Sequence, residues 1–115
     1  MKFKKIILIL LILTSFSVNA QDKEVKKITF KVSGVCGMCE ERIENALDVK
    51  GVKSAEWEQG THMVTVVYRT DKINEDEMHK LLNEVGHDTE KSRATDEQYS
   101  TVHECCKYRE HEDHP

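Results

Sequence analysis

The chain of 115 residues contains one proline, and it is the last residue, Pro115. A dithiol redox site of the thioredoxin kind sets a proline against its cysteines, so the sequence argues strongly against redox chemistry of that kind. Lysine and arginine form no stripe, and the 17 basic residues are outnumbered by 21 acidic ones. A nucleic-acid-binding surface requires such a stripe, so that role is set aside. The unbroken apolar run, Ile6 to Leu13, turns polar at Thr14-Ser15. That is short of the about 20 residues a membrane-spanning helix needs. The sequence has no internal repeat, no phosphate-cradling loop and no nucleophile-base pairing, hence no constellation that would make an enzyme.

What is present begins with a leader. Three lysines in the first five residues, the apolar run and the small residues Val18-Asn19-Ala20 have the layout of a secretory signal peptide cleaved after Ala20. No cysteine stands near that cut, which argues against a lipid anchor. The expected product is secreted or periplasmic, with no membrane insertion after cleavage; an uncleaved N-terminal anchor is the alternative. Its 14 basic and 21 acidic residues give a formal charge of −7, a surface tolerant of cations. The expected division is a signal peptide over residues 1–20, a domain over 21–94 and a polar tail over 95–115.

Alternation of Ile28, Phe30 and Val32 predicts a half-buried strand. A loop with Gly34 and Gly37 follows, then an amphipathic helix carrying Ile43, Ala46 and Leu47, with Gly51 as its terminal glycine. Ala55 and Trp57, a turn at Gln59-Gly60, and Val64, Val66 and Tyr68 predict a hairpin. The second helix has Asn74 as N-cap, Glu77 three residues on, and Ile73 with Met78 as a staple. Its apolar stripe is Met78, Leu81, Leu82 and Val85, and Gly86 closes it. Residues 87–94 are polar and fit an edge strand. The order βαββαβ predicts an α+β, ferredoxin-like sandwich: a four-stranded antiparallel sheet with two helices on one face.

Cysteine usage carries the chemistry. Four cysteines come as two close pairs, Cys36/Cys39 and Cys105/Cys106. In "GVCGMC" the first pair lies at the mouth of the first helix, whose N–H groups and dipole favour thiolates. Two sulfurs so spaced can clamp one soft cation, cycle as a dithiol and disulfide, or form a structural bridge. Zinc wants four ligands, so a low-coordinate ion such as Cu(I) fits two sulfurs better, while Hg(II), Ag(I), Zn(II) and Cd(II) stay in view.

The segments "ITFKVSGVCGMCEERIENALDVKGVKSAEWE", "HMVTVVY" and "LLNEVGHDTEK" resemble the heavy-metal-associated domain over residues 26 to about 93. That family includes copper chaperones, metal-binding domains of P-type ATPases and a periplasmic mercury scavenger. The resemblance implies the βαββαβ fold, with Cys36 and Cys39 binding the metal ion and handing it on by ligand exchange. The implied partner is a metal-transporting ATPase or an efflux component. The alternative reading is an exported dithiol/disulfide protein cycling Cys36-Cys39. The family's loop carries a methionine before the first cysteine. Here Val35 takes that place against the core, and Met38 stands between the cysteines as a thioether at the ion or a packing side chain.

His87, after Gly86, is a candidate third ligand, a side chain that tunes the thiolates, or a solvent-facing loop histidine. His62 and His79 read as exposed. In the tail, Cys105 and Cys106 are flanked by His103, His111 and His114. Three readings stay open there: an auxiliary metal site built from His103, Cys105 and Cys106, a tail that folds back to add a sulfur to Cys36 and Cys39, or a disordered extension.

Overall fold

A computed structural model describes residues 24–110 of the chain. The leader, His111 and His114 lie outside the described residues. Strand β1 (Val25–Lys31) leads through the cysteine loop into helix α1 (Gly37–Ala46). Strands β2 (Val52–Glu58) and β3 (Met63–Arg69) form the hairpin, and helix α2 (Glu75–Glu84) follows. The described residues close with a short helix α3 (Asp96–Tyr99) and 3₁₀ turns at Glu104–Cys106 and Tyr108–Glu110. Among the described residues no helix is long and apolar enough to cross a membrane.

The sheet has the order β1-β3-β2, with antiparallel pairing throughout. Register places Phe30, Val64 and Trp57 in one row and Ile28, Val66 and Ala55 in the next. Alternate residues of a strand share a face, so both rows point to the side covered by α1 and α2. Ile43 and Leu47 from the α1 segment and Met78 and Leu82 from α2 complete the core. A register shift between Val52 and Ser54 inserts one residue into β2. It brings Val52 opposite Tyr68 and against the core, where strict alternation from Ala55 would turn it outward.

The expected fourth strand is reduced to one antiparallel bridge, Val32 to Thr89. Ser33 N–H donates to the Asp88 carbonyl at 2.9 Å and Glu90 N–H to the Lys31 carbonyl at 3.1 Å. Pairing then stops because Thr89 turns the chain back on itself. Its N–H donates to the Ser92 carbonyl at 2.8 Å, and its Oγ1 accepts from Ser92 N–H at 3.1 Å. Side-chain bonds of this kind compete with a ladder.

Three local expectations are corrected. Helix α1 ends at Ala46 with Leu47 as C-cap, so Gly51 serves the turn into β2 instead. In the hairpin the left-handed residue is His62 (φ 61°), whose ring stacks on Trp57 at 5.8 Å, so it is half-buried. His79 is buried rather than exposed: its ring lies 4.3 Å from Phe30, and Nδ1 is 2.6 Å from Thr89 Oγ1.

Helix α2 behaves as its caps dictate. Glu77 N–H donates to Asn74 Oδ1, and Asn74 Nδ2 to Glu77 Oε1, both at 2.9 Å. At the other end His87 N–H donates to the Leu82 carbonyl at 3.0 Å and Gly86 N–H to Asn83 at 2.9 Å. This is a Schellman closure around Gly86 in the left-handed region (φ 94°). It turns His87 and Asp88 inward, toward the cysteine loop and the tail.

Candidate metal centre

Cys36 occupies the N-cap position of α1, and Cys39 lies in its first turn, fully buried. The loop before them is held from below. Trp57 Nε1 donates to the Val32 carbonyl at 3.0 Å, and the indole lies so close to Gly34 that a Cβ there would meet it at 2.8 Å. Only glycine admits that approach. Val35 packs against the core, as the sequence leads one to expect.

A third sulfur arrives from the far end of the chain. The sulfurs of Cys36, Cys39 and Cys106 lie within 4.8 Å of one another. Cys106 is fully buried, while its neighbour Cys105 is exposed. Cys105 Sγ lies 3.1 Å from Met38 Sδ, and the Cys36 thiol donates to the Cys105 carbonyl at 3.8 Å. Burial raises the Cys36 thiol, but the N–H groups of Met38 and Cys39, then the Cys105 and Cys106 thiols, outweigh it and hold its pKa below the usual value. Burial pushes Cys106 strongly upward, and Cys39, Cys36 and Cys105 push it the same way. All four cysteines are free thiols.

The tail that delivers Cys106 is anchored from both sides. Thr95 and Gln98 form a capping box at α3. Val102 is buried, and the Tyr108 hydroxyl donates to the Gly86 carbonyl at 2.6 Å while accepting Asp88 N–H at 3.0 Å. Arg109 donates to the Asp88 carboxylate at 2.8 and 3.1 Å and to the Ala94 carbonyl at 2.7 Å. Burial raises the Asp88 carboxyl, yet these donors hold it below the usual carboxylate range.

His87 is not solvent-facing. It is fully buried, with Nδ1 2.7 Å from the Ser33 carbonyl and its ring stacked 5.5 Å from Tyr108. Burial drives its pKa down to about 4, so the ring is neutral at pH 7 and Nδ1 is the donor to Ser33. Nε2 is buried with no hydrogen-bond partner. His87 stands outside the three-sulfur group. It joins the cysteine loop to the tail without touching the sulfurs' circle.

The remaining sequence candidates separate. His103 is exposed and apart from the sulfurs, so His103, Cys105 and Cys106 do not converge on one auxiliary site. Met38 is 45% exposed, which leaves it beside the loop and not in the core. Sequence reasoning overlooked Trp57, Asp88 and Arg109 as supports of the site. The apolar trio Tyr99, Val102 and Tyr108 in an otherwise polar tract was the available signal for a folded tail.

Residues 29–88 match the family model of the heavy-metal-associated domain. The chain belongs to that family. Among solved structures this heavy-metal-associated protein is similar to a CopZ metallochaperone. Identity is 29%, over 56% of this chain and 98% of that one, with a TM-score of 0.54. It is similar as well to the N-terminal domain of a potential copper-translocating P-type ATPase from Bacillus subtilis in the Cu(I)-loaded state. There identity is 25%, over 57% of this chain and 85% of that one, with a TM-score of 0.55. Oxidised MerP from Ralstonia metallidurans CH34 shares the fold, at 20% identity over 57% and 94% of the two chains and a TM-score of 0.55. No curated protein sequence matches the chain. Cys36 and Cys39 fall inside the family match, and Cys106 lies beyond its end.

Proposed function

We propose that this heavy-metal-associated protein is exported, binds a soft cation through Cys36 and Cys39, and passes it on by ligand exchange as a Cu(I) chaperone or scavenger. The carrying observation is that both sulfurs converge at the start of α1, with the Cys36 thiol held below its usual pKa. A thiolate is the form that binds metal. The likeness to a metallochaperone and to a copper-translocating ATPase domain supports copper as cargo. It also supports a transporting ATPase as the partner.

Exchange needs no catalytic group. A partner sulfur joins the ion, one cysteine lets go, and the second follows, so coordination never falls to bare metal. The signal layout of residues 1–20 supports export to a periplasmic or extracellular space, where such a protein meets incoming metal. The remnant bridge at Thr89 is consistent with a ferredoxin-like plan whose last strand has shrunk.

Native mass spectrometry of the reduced chain starting at Gln21, titrated with Cu(I), Zn(II) and Hg(II), tests the reading. One equivalent of Cu(I) retained by the wild type and lost in Cys36→Ser is the expected result. Absence of uptake of any thiophilic ion, or uptake that survives serine at both positions, defeats it.

A further inference from the structure

We propose that Cys106 is a third sulfur ligand, supplied by the folded C-terminal segment, so that the cation sits in a trigonal three-sulfur site. The inference rests on the metal-binding reading of Cys36 and Cys39 and adds the coordination number and a new ligand.

Geometry favours it first. An ion with bonds to sulfur of about 2.3 Å needs three sulfurs about 4 Å apart to sit at their centre. Sulfurs already within 4.8 Å of one another meet that demand with a small inward rotation. The donor set is chemically uniform, since three sulfurs suit Cu(I), Hg(II) and Cd(II), the soft end of the cation series.

Anchoring is the second argument. Cys106 lies in a single 3₁₀ turn, its N–H donating to the His103 carbonyl at 2.8 Å. Buried Val102 precedes it and buried Tyr108 follows, so its sulfur faces the first pair before any ion arrives. Ordering entropy is thereby spent in folding and not in binding. The tail also covers Cys36 through the Cys105 carbonyl. On binding, each thiol that ligates exchanges its proton for a metal bond, and the proton leaves to solvent.

The test uses the reduced mature chain loaded with one equivalent of Hg(II), read by X-ray absorption at the mercury edge. Three sulfurs around mercury are expected in the wild type and in Cys105→Ser, and two in Cys106→Ser. Hg(II) retention against a competing small thiol is expected to drop roughly tenfold in Cys106→Ser, with one-to-one uptake preserved. Two sulfurs in the wild type, or three persisting in Cys106→Ser, overturn the inference and leave the two-cysteine reading standing. If Cys106→Ser does not fold, the wild-type sulfur count decides alone. Failure of the wild type to take up mercury or Cu(I) at all is a different result, which removes the metal-binding reading itself.

Discussion

The two cysteine pairs obey different geometry. Cys36 and Cys39 are three residues apart across the start of a helix, and one turn later the chain faces the same way, so their sulfurs converge. Cys105 and Cys106 are adjacent in a 3₁₀ turn, where neighbours point about 120° apart. One is therefore exposed against Met38 and the other buried among the first pair. A pair at i,i+3 can act as a unit, whereas a pair at i,i+1 divides its labour between surface and interior.

The division depends on how the tail is held, and breaking that hold has the largest expected effect. A Cβ at Gly86 would meet Val102 Cγ2 at 2.5 Å and the Gln98 carbonyl oxygen at 2.7 Å, on a backbone in the left-handed region. Gly86→Ala should cost about 4 kcal/mol. It should also make Cys106 as reactive as Cys105 toward an alkylating reagent, which peptide mass mapping would record. A Cys106 still protected in this variant would mean that the tail is held some other way.

Acidification is the next lever, through the buried histidine that joins loop and tail. His87 has its pKa lowered from 6.5 to about 4, so the unfolded chain takes up a proton that the folded chain refuses. Its contribution is complete above pH 6.5 and is lost as pH falls toward about 4. The loss should reach about 3 kcal/mol. Asp88, held below the usual carboxylate range, stays ionised over most of that window and keeps Arg109. Urea unfolding of the wild type at stepped pH, beside His87→Gln, should give a slope in the former that flattens in the latter.

Smaller effects sharpen the contrast. Tyr108→Phe removes the hydroxyl that serves both the Gly86 carbonyl and Asp88 N–H. Two buried backbone groups then lack a partner, at a cost of about 2 kcal/mol, measurable by thermal unfolding. Cys105→Ser should change stability by under about 0.5 kcal/mol, since that side chain is exposed. A large loss there would erase the distinction between the outer and inner members of the pair.

What the sequence made legible was local. Asn74 and Glu77, the stripe from Met78 to Leu82, and Gly86 specify a helix with both ends signed, and the structure places α2 within those marks. The alternation of Val64, Val66 and Tyr68 likewise names the buried face of β3. Legibility failed where distant residues decide. His79 flanks the apolar stripe of α2 and is buried because Phe30 and Thr89 reach it from other elements. The fourth strand fades because Thr89 and Ser92 bond to each other. The position of Cys106 was only one of several readings of a polar tract. It is set by contacts from Tyr108 to Gly86 and from Arg109 to Asp88, which no periodicity announces.

Gly34 yields its space to the indole of Trp57, the chain's single tryptophan, and so sets a fluorophore against the loop that carries the thiols. Heavy or redox-active ions quench excited indole over short distances. Quenching of that one side chain's emission on titration with Cu(I) or Hg(II) is therefore the optical signal expected of loading at the thiols, without dye or label.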